Sequence, residues 1–268
     1  MKNRRIFLLI TVFLSALLLF AAAPAESGRG SILVEPGEQQ PSGGDIDDFT
    51  GDIPQTEERE ALPLYGLVIG IDPGHQAKAD TDKEPVAPGS SVTKAKVAAG
   101  TRGVATGRPE YAVNLEISLL LRDILTDLGA RVIMTRETDD VNISNIERAV
   151  MMNEQGADAV IRIHCNGSTN RALHGAGMYV RKTGPMAEES ARLGECLLTA
   201  MKQIPGWQTH SVYRRDSYTG LNWSEVPCVL AEVGYLTNPD EDKRLSDAEW
   251  QTQIAIALAR GIAAYFGG

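Results

Sequence analysis

A run of apolar and β-branched residues that halts at a proline–glycine pair constrains this chain more than any other feature: L-V-I-G-I-D-P-G-H, residues 67–75. Leu67, Val68, Ile69 and Ile71 read as a short central strand of a parallel sheet, buried on both faces. Pro73 cannot donate to a ladder, and Gly74 tolerates dihedrals closed to other residues, so the chain must turn there. His75 is thereby delivered just past the carboxyl end of the strand, where open α/β sheets keep their ligands.

The downstream pattern supplies the rest of such a sheet. Pro109 opens an amphipathic helix over Glu110–Leu128, with Val113, Ile117, Leu121, Leu125 and Leu128 at helical spacing and Gly129 as its stop. Further strands are expected at 131–136, 158–164, 177–181 and 227–233, and further helices at 145–155, 187–204 and 247–266. Strands alternating with helices imply one α/β domain whose mostly parallel sheet is covered by helices on both faces. Two stretches show no period. Gln76–Pro109 is longer than ordinary connections and reads as a polar loop that rims a site. The segment bearing Trp207, His210, Tyr213, Tyr218 and Trp223 reads as irregular, its aromatics serving equally as packing or as the wall of a groove.

The amino terminus reads differently. Lys2, Arg4 and Arg5 precede an apolar stretch from Ile6 to Ala23, and Ala23-Pro24-Ala25 offers a cleavage site. Residues 1–25 are therefore expected to be a signal peptide, or an uncleaved membrane anchor, and the remainder to be exported. Residues 26–62 are acidic and rich in Pro, Gly and Ser, a composition that buries too little apolar surface to offset chain entropy; they read as a disordered linker. The folded domain is expected over 63–268. A formal net charge of -9 over 268 residues argues against a nucleic-acid partner. The three cysteines, Cys165, Cys196 and Cys228, match no zinc-finger spacing and are expected as small buried residues.

Two of the buried strands end in histidine, His75 after I-D-P-G and His164 in R-I-H-C-N. Parallel neighbours align their carboxyl ends, so the two imidazoles can converge, although a single histidine is more often a structural hydrogen-bonding group. Glu110, in the first turn of its helix, either simply complements the helix dipole or completes a His–Glu–His set with an open position for water, as in catalytic zinc sites. Glu116 is its rival. Glu232 stands in an otherwise apolar strand, P-C-V-L-A-E, where an acid is costly to bury without purpose; beside a metal-bound water it suits a general base. Glu225 reads as a solvated loop residue. Arg162 shares a strand face with His164 and either grips a carboxylate, that of substrate or of Glu110, or forms a structural ion pair. Asn166, at the same strand end, is a candidate substrate contact.

Four motifs then resemble one family in order and spacing: I-D-P-G-H at 71–75, P-E-Y-A-V-N-L at 109–115, R-I-H-C-N at 162–166 and L-A-E-V-G-Y-L-T-N-P at 230–239. They are similar to the zinc-dependent N-acetylmuramoyl-L-alanine amidases of bacterial cell walls, over about residues 66–266, and T-R at 135–136 and the E-R-A…N run ending at Asn153 fit as well. The resemblance implies a zinc-exopeptidase-like α/β fold and zinc held by His75, Glu110 and His164. It further implies catalysis by Glu232, peptidoglycan as substrate and a possible regulatory protein as partner. The chain departs from the usual pattern in having Gln76-Ala77 after the first histidine, and a long loop with Lys78, Lys83, Lys94 and Lys96. Two other classes share these features: an exported zinc peptidase or aminoacylase of the same fold, and a non-catalytic wall-binding module.

Overall fold

The computed structural model describes residues 59–267; the expected export segment and nearly all of the expected linker lie outside them. The polypeptide builds a six-stranded sheet from β1 (Val68–Pro73), β4 (Arg131–Met134), β5 (Ala159–Asn166), β6 (Ala176–Arg181), β7 (Thr209–Arg215) and β8 (Cys228–Tyr235). Their order across the sheet is β4-β1-β5-β8-β6-β7. All neighbours run parallel except β6 against β8. The mostly parallel α/β architecture expected from the alternation of elements is therefore the observed one. Among the described residues, no helix is long and apolar enough to cross a membrane.

Helices cover the two faces unequally. Helices α1 (Glu110–Asp127), α3 (Ala187–Met201) and α6 (Ala248–Gly267) bury the larger core, in which Ile69, Ile71, Ile161, Ile163, Val229 and Ala231 meet Val113, Ile117, Leu193, Leu197, Ile254 and Leu258. The other face carries α2 (Asn145–Glu154) and α4 (Thr219–Asn222) over a smaller cluster of Ile133, Met152, Val160, Leu221, Cys228 and Leu230. Because side chains alternate along a strand, Arg162, His164 and Glu232 lie on this thinly covered face. Helix α2 begins with a capping box: the Ser144 hydroxyl accepts from the Glu147 amide while Glu147 accepts from the Ser144 amide.

Three expectations are corrected. The polar stretch 76–109 is not wholly irregular: it folds into an antiparallel hairpin of β2 (Asp80–Pro85) and β3 (Thr93–Val97). Its first strand is polar throughout and its second offers only Ala95 and Val97 against Lys94 and Lys96, too short an apolar period to read; Lys96 bridges Asp80 and Asp82. The segment 207–223 contains β7 and α4, for β7 is an edge strand whose residues are half-buried or exposed. A short helix α5 (Pro239–Leu245), absent from the reading, is started by Asn238, whose side chain caps the amides of Asp240 and Glu241. Cys165 and Cys228 are buried as expected, while Cys196 is half-buried, and none is bridged.

One buried cluster locks the sheet to α2. Asp72, near the end of β1, accepts from Arg148 Nη1 at 2.7 Å and from the Thr135 hydroxyl at 2.6 Å, and Arg162 Nη2 lies 3.0 Å from its second oxygen. Burial alone would raise the Asp72 carboxyl, but the charges of Arg162 and Arg148 and the Thr135 hydrogen bond outweigh it and hold it well below the usual carboxylate range. An acid depressed in the native state contributes its full stabilisation above its unfolded value of about 4 and loses it as the pH falls toward the native value. Asp72→Asn should therefore cost about 3–5 kcal/mol at pH 7, since it strands two buried cations, and the deficit in urea unfolding should shrink below about pH 4. A deficit independent of pH between 7 and 3 would remove the ionised Asp72 from this account.

Candidate metal centre and catalytic cleft

The end of β1 is held by two buried guanidinium groups. Arg148 donates to the carbonyls of Pro73 (3.0 Å) and His75 (3.1 Å) and to the Gln76 side chain (2.9 Å). Arg136 donates to the carbonyls of Pro73 (2.9 Å), Gly74 (3.1 Å) and Tyr111 (2.8 Å), and Asn114 of α1 adds a bond to Gly74 at 3.2 Å. So gripped, His75 adopts a left-handed φ of 61°, rare for a side-chain-bearing residue and sustained only where the surroundings over-determine it. Gly74 packs flat against the His164 ring, and any Cβ there would occupy the imidazole's space. Asp72, Arg136, Arg148 and Asn114 were given no role from sequence, because which carbonyls a guanidinium will hold is settled only by the fold. The signal was that each falls within a matched motif.

His75, Glu110 and His164 come together, with one donor atom from each all within 4.8 Å of one another. Glu110 Oε1 stands 3.1 Å from His75 Nε2 and 3.2 Å from His164 Nδ1. The same carboxylate accepts from the Thr101 amide at 2.7 Å and the Cys165 amide at 3.1 Å. Burial pushes its carboxyl up, but the hydrogen bonds from His164 and His75 outweigh burial and hold it well below the ordinary value. Burial pushes His164 down to about 4. His75 is lowered by burial but raised more by its bond to Glu110, and ends above its usual value. Glu116, the sequence rival of Glu110, is turned away to Arg108 and Gln251.

Whether this set suits a metal follows from its lone pairs. His75 Nδ1 donates to the Ala98 carbonyl at 2.8 Å, which fixes the tautomer and leaves the lone pair of the neutral ring on Nε2, facing a carboxylate oxygen. Two acceptors 3.1 Å apart repel unless a proton or a cation lies between them. Ligand atoms about 2.0–2.2 Å from a tetrahedral zinc ion stand about 3.3–3.5 Å from each other, close to both observed separations. The carbonyl behind the ring is the usual outer support of a metal-bound histidine. His164 Nε2 and Glu232 Oε2, both buried, have no hydrogen-bond partner among the described residues. The residues fit the group.

Glu232 pairs in register with His164 on the adjacent strand, so its carboxyl rises beside the three ligands. Burial, and then the negative charge of Glu110, push it well above the ordinary value. These residues floor a cavity of about 970 Å³ that also takes in Lys83 and Lys94 from the hairpin, Thr101, Asn166, Tyr218 and Thr237. Arg162 lines its base yet is committed to Asp72 and to Asn145 Oδ1, at 2.7 Å. Asn166, half-buried at the strand end, accepts from the Gly167 amide at 2.9 Å. His210 Nε2 donates to the His174 carbonyl, 2.6 Å away, and does not line the cavity; Glu225 is exposed.

Comparison with known proteins agrees with this geometry. The profile of the N-acetylmuramoyl-L-alanine amidase family Amidase_3 matches residues 69–264. The chain is 30% identical, over 75% of its length and 87% of the relative's, to N-acetylmuramoyl-L-alanine amidase Rv3717 of Mycobacterium tuberculosis. It is 28% identical to the germination-specific N-acetylmuramoyl-L-alanine amidase of Bacillus subtilis, over 77% and 82% of the two lengths. Among solved structures, the amidase Ami1 of Mycobacterium smegmatis superposes with a TM-score of 0.69 at 26% identity, covering 76% of this chain and 98% of that one. The buried His–Glu–His set, the carboxylate beside it and the full span of the match place this chain in the N-acetylmuramoyl-L-alanine amidase family, as a hydrolase of the bacterial cell wall.

Proposed function

We propose that the chain is an exported, zinc-dependent peptidoglycan hydrolase that cleaves the amide between the lactoyl group of N-acetylmuramic acid and L-alanine of the stem peptide. The observation that carries the metal assignment is the His75 lone pair set 3.1 Å from Glu110 Oε1, with His164 as third ligand. His75, Glu110 and His164 would hold the zinc, which would supply Lewis-acid charge to lower the pKa of a water and to stabilise the oxyanion of the attacked carbonyl. Glu232 takes the water's proton as its oxygen bonds to the lactoyl carbon. The same carboxyl then passes that proton to the nitrogen of the departing L-alanine as the C–N bond breaks. A carboxyl pushed upward by burial is suited to hold the proton between the two transfers.

The remaining assignments follow the cavity. Asn166 is proposed to hydrogen-bond the substrate at the strand end. Arg162, bound to Asp72, is proposed to present the cleft with positive charge rather than to clamp Glu110. Residues 1–25 are proposed to direct export, residues 26–62 to tether the catalytic domain, and a regulatory protein to control it. An aminoacylase of the same fold fits the donor set equally, but not the family match.

Two outcomes test this reading. Glu232→Gln should retain about one zinc per chain by elemental analysis while the rate of stem-peptide release falls by about 10²–10⁴-fold; hydrolysis at the parental rate would remove Glu232 from proton transfer. His75→Ala should bind zinc at least about 100-fold more weakly and lose activity with it. Unchanged metal content in this variant would displace His75 from the ligand set.

A further inference from the structure

The face of the sheet that bears Glu232 continues past it onto β6, where its helical cover is the four-residue α4. On β6, Met178 and Val180 point into the larger core, so Gly177 and Tyr179 face the catalytic side. Gly177 pairs in register with Glu232, and an added Cβ would lie 3.3 Å from Cε2 of Tyr213. The missing side chain thus lets the Tyr213 ring lie across the sheet one strand from the catalytic carboxyl. Tyr179 stands 5.1 Å from Tyr213 and 5.5 Å from Tyr218, ring centre to ring centre, and Tyr218 lines the cleft itself. All three are half-exposed. Helix α3 packs on β6 and β7 from the opposite face, through Gly194 against Val212 and Met178.

Three aromatic rings, half-wet and contiguous with a reacting carboxylate, form a surface of particular chemistry. They offer apolar faces with polar rims, and no charge of their own. The amide that this family hydrolyses joins a peptide to a sugar, so a pyranose ring must lie within one residue's length of Glu232. Its C–H faces match aromatic faces, and its hydroxyl and acetamido groups match phenol rims and the Arg215 guanidinium, 5.5 Å from the Tyr213 ring. We infer that Tyr179, Tyr213 and Tyr218 form a subsite that stacks the glycan of the substrate beside the scissile amide. The inference rests on Glu232 being the group at that amide. The peptide side, rich in carboxylates, is left to Lys83 and Lys94 of the hairpin.

The test is binding of peptide-free glycan strands of alternating N-acetylglucosamine and N-acetylmuramic acid to the full chain, measured by calorimetry and by tyrosine ring signals in NMR. Parental protein should bind, with the Tyr213 and Tyr218 ring resonances shifting. Tyr213→Phe should bind within about twofold of parental, and Tyr213→Ala should weaken binding at least about fivefold, as truncation of a central aromatic contact does. The ring shifts in parental protein need no variant to fold. No binding, binding without ring shifts, equal binding by Tyr213→Ala, or a loss in Tyr213→Phe as large as in Tyr213→Ala would each overturn the subsite. Release of L-alanine-terminated peptides from whole peptidoglycan, followed in the same parental samples, reports separately on the amidase reading: glycan binding without release would retain the subsite and fail that reading.

Discussion

Everything in the catalytic cleft depends on three consecutive carbonyls, those of Pro73, Gly74 and His75, being held by buried arginines. The Gly74 amide still donates to Ile163 of β5 at 2.8 Å, but the carbonyls from Pro73 onward must find partners outside the ladder or be buried at a cost of about 1–3 kcal/mol each. Arg136 and Arg148 supply them, and Asp72 neutralises one of the two guanidinium groups. The product of this arrangement is a histidine in a left-handed conformation, aimed at a carboxylate from a different element. The strain at His75 is sustained by groups that reach its segment from α1, from the stretch after β4 and from α2.

The two glutamates of the cleft show how environment divides one side-chain type into two roles. Glu110 accepts from the amides of Thr101 and Cys165 and lies 3.1 and 3.2 Å from the two imidazoles. It stays ionised, as the ligand role proposed for it requires. Glu232 has no such donors, and burial, then the charge of Glu110 across the cleft floor, push its carboxyl above the ordinary value. Paired carboxyls driven apart in this way mark acid–base assignments in many active sites.

Much of this was legible in the sequence, and for identifiable reasons. The apolar runs of β1, β5 and β8 end at His75, His164 and Glu232, and strand ends in a parallel sheet have a fixed chemical meaning. Helix α1 could be read from its spacing, and Glu110 from its place at the helix start. The hairpin β2–β3 escaped because β2 is polar throughout and the alternation of β3, Ala95 and Val97 against two lysines, is too short to mark a strand. Strand β7 escaped for a related reason: at the sheet edge it trades apolar residues for His210, Arg214 and Arg215. The committed partners of Arg162, Asp72 and Asn145, lie 90 and 17 residues away, and no local pattern announces such pairings. The choice between a substrate clamp and an ion pair was open in sequence for that reason.

The central claim is that a zinc-loaded cleft cleaves one particular amide. Purified peptidoglycan digested by the full chain, with and without a chelator, and analysed by mass spectrometry addresses it directly. The account predicts stem peptides with a free L-alanine amine, glycan strands of undiminished length, and loss of both the peptides and one bound zinc per chain in the chelator-treated sample. Shortened glycans, peptides cut within the stem, or release undiminished after the metal is removed would contradict it.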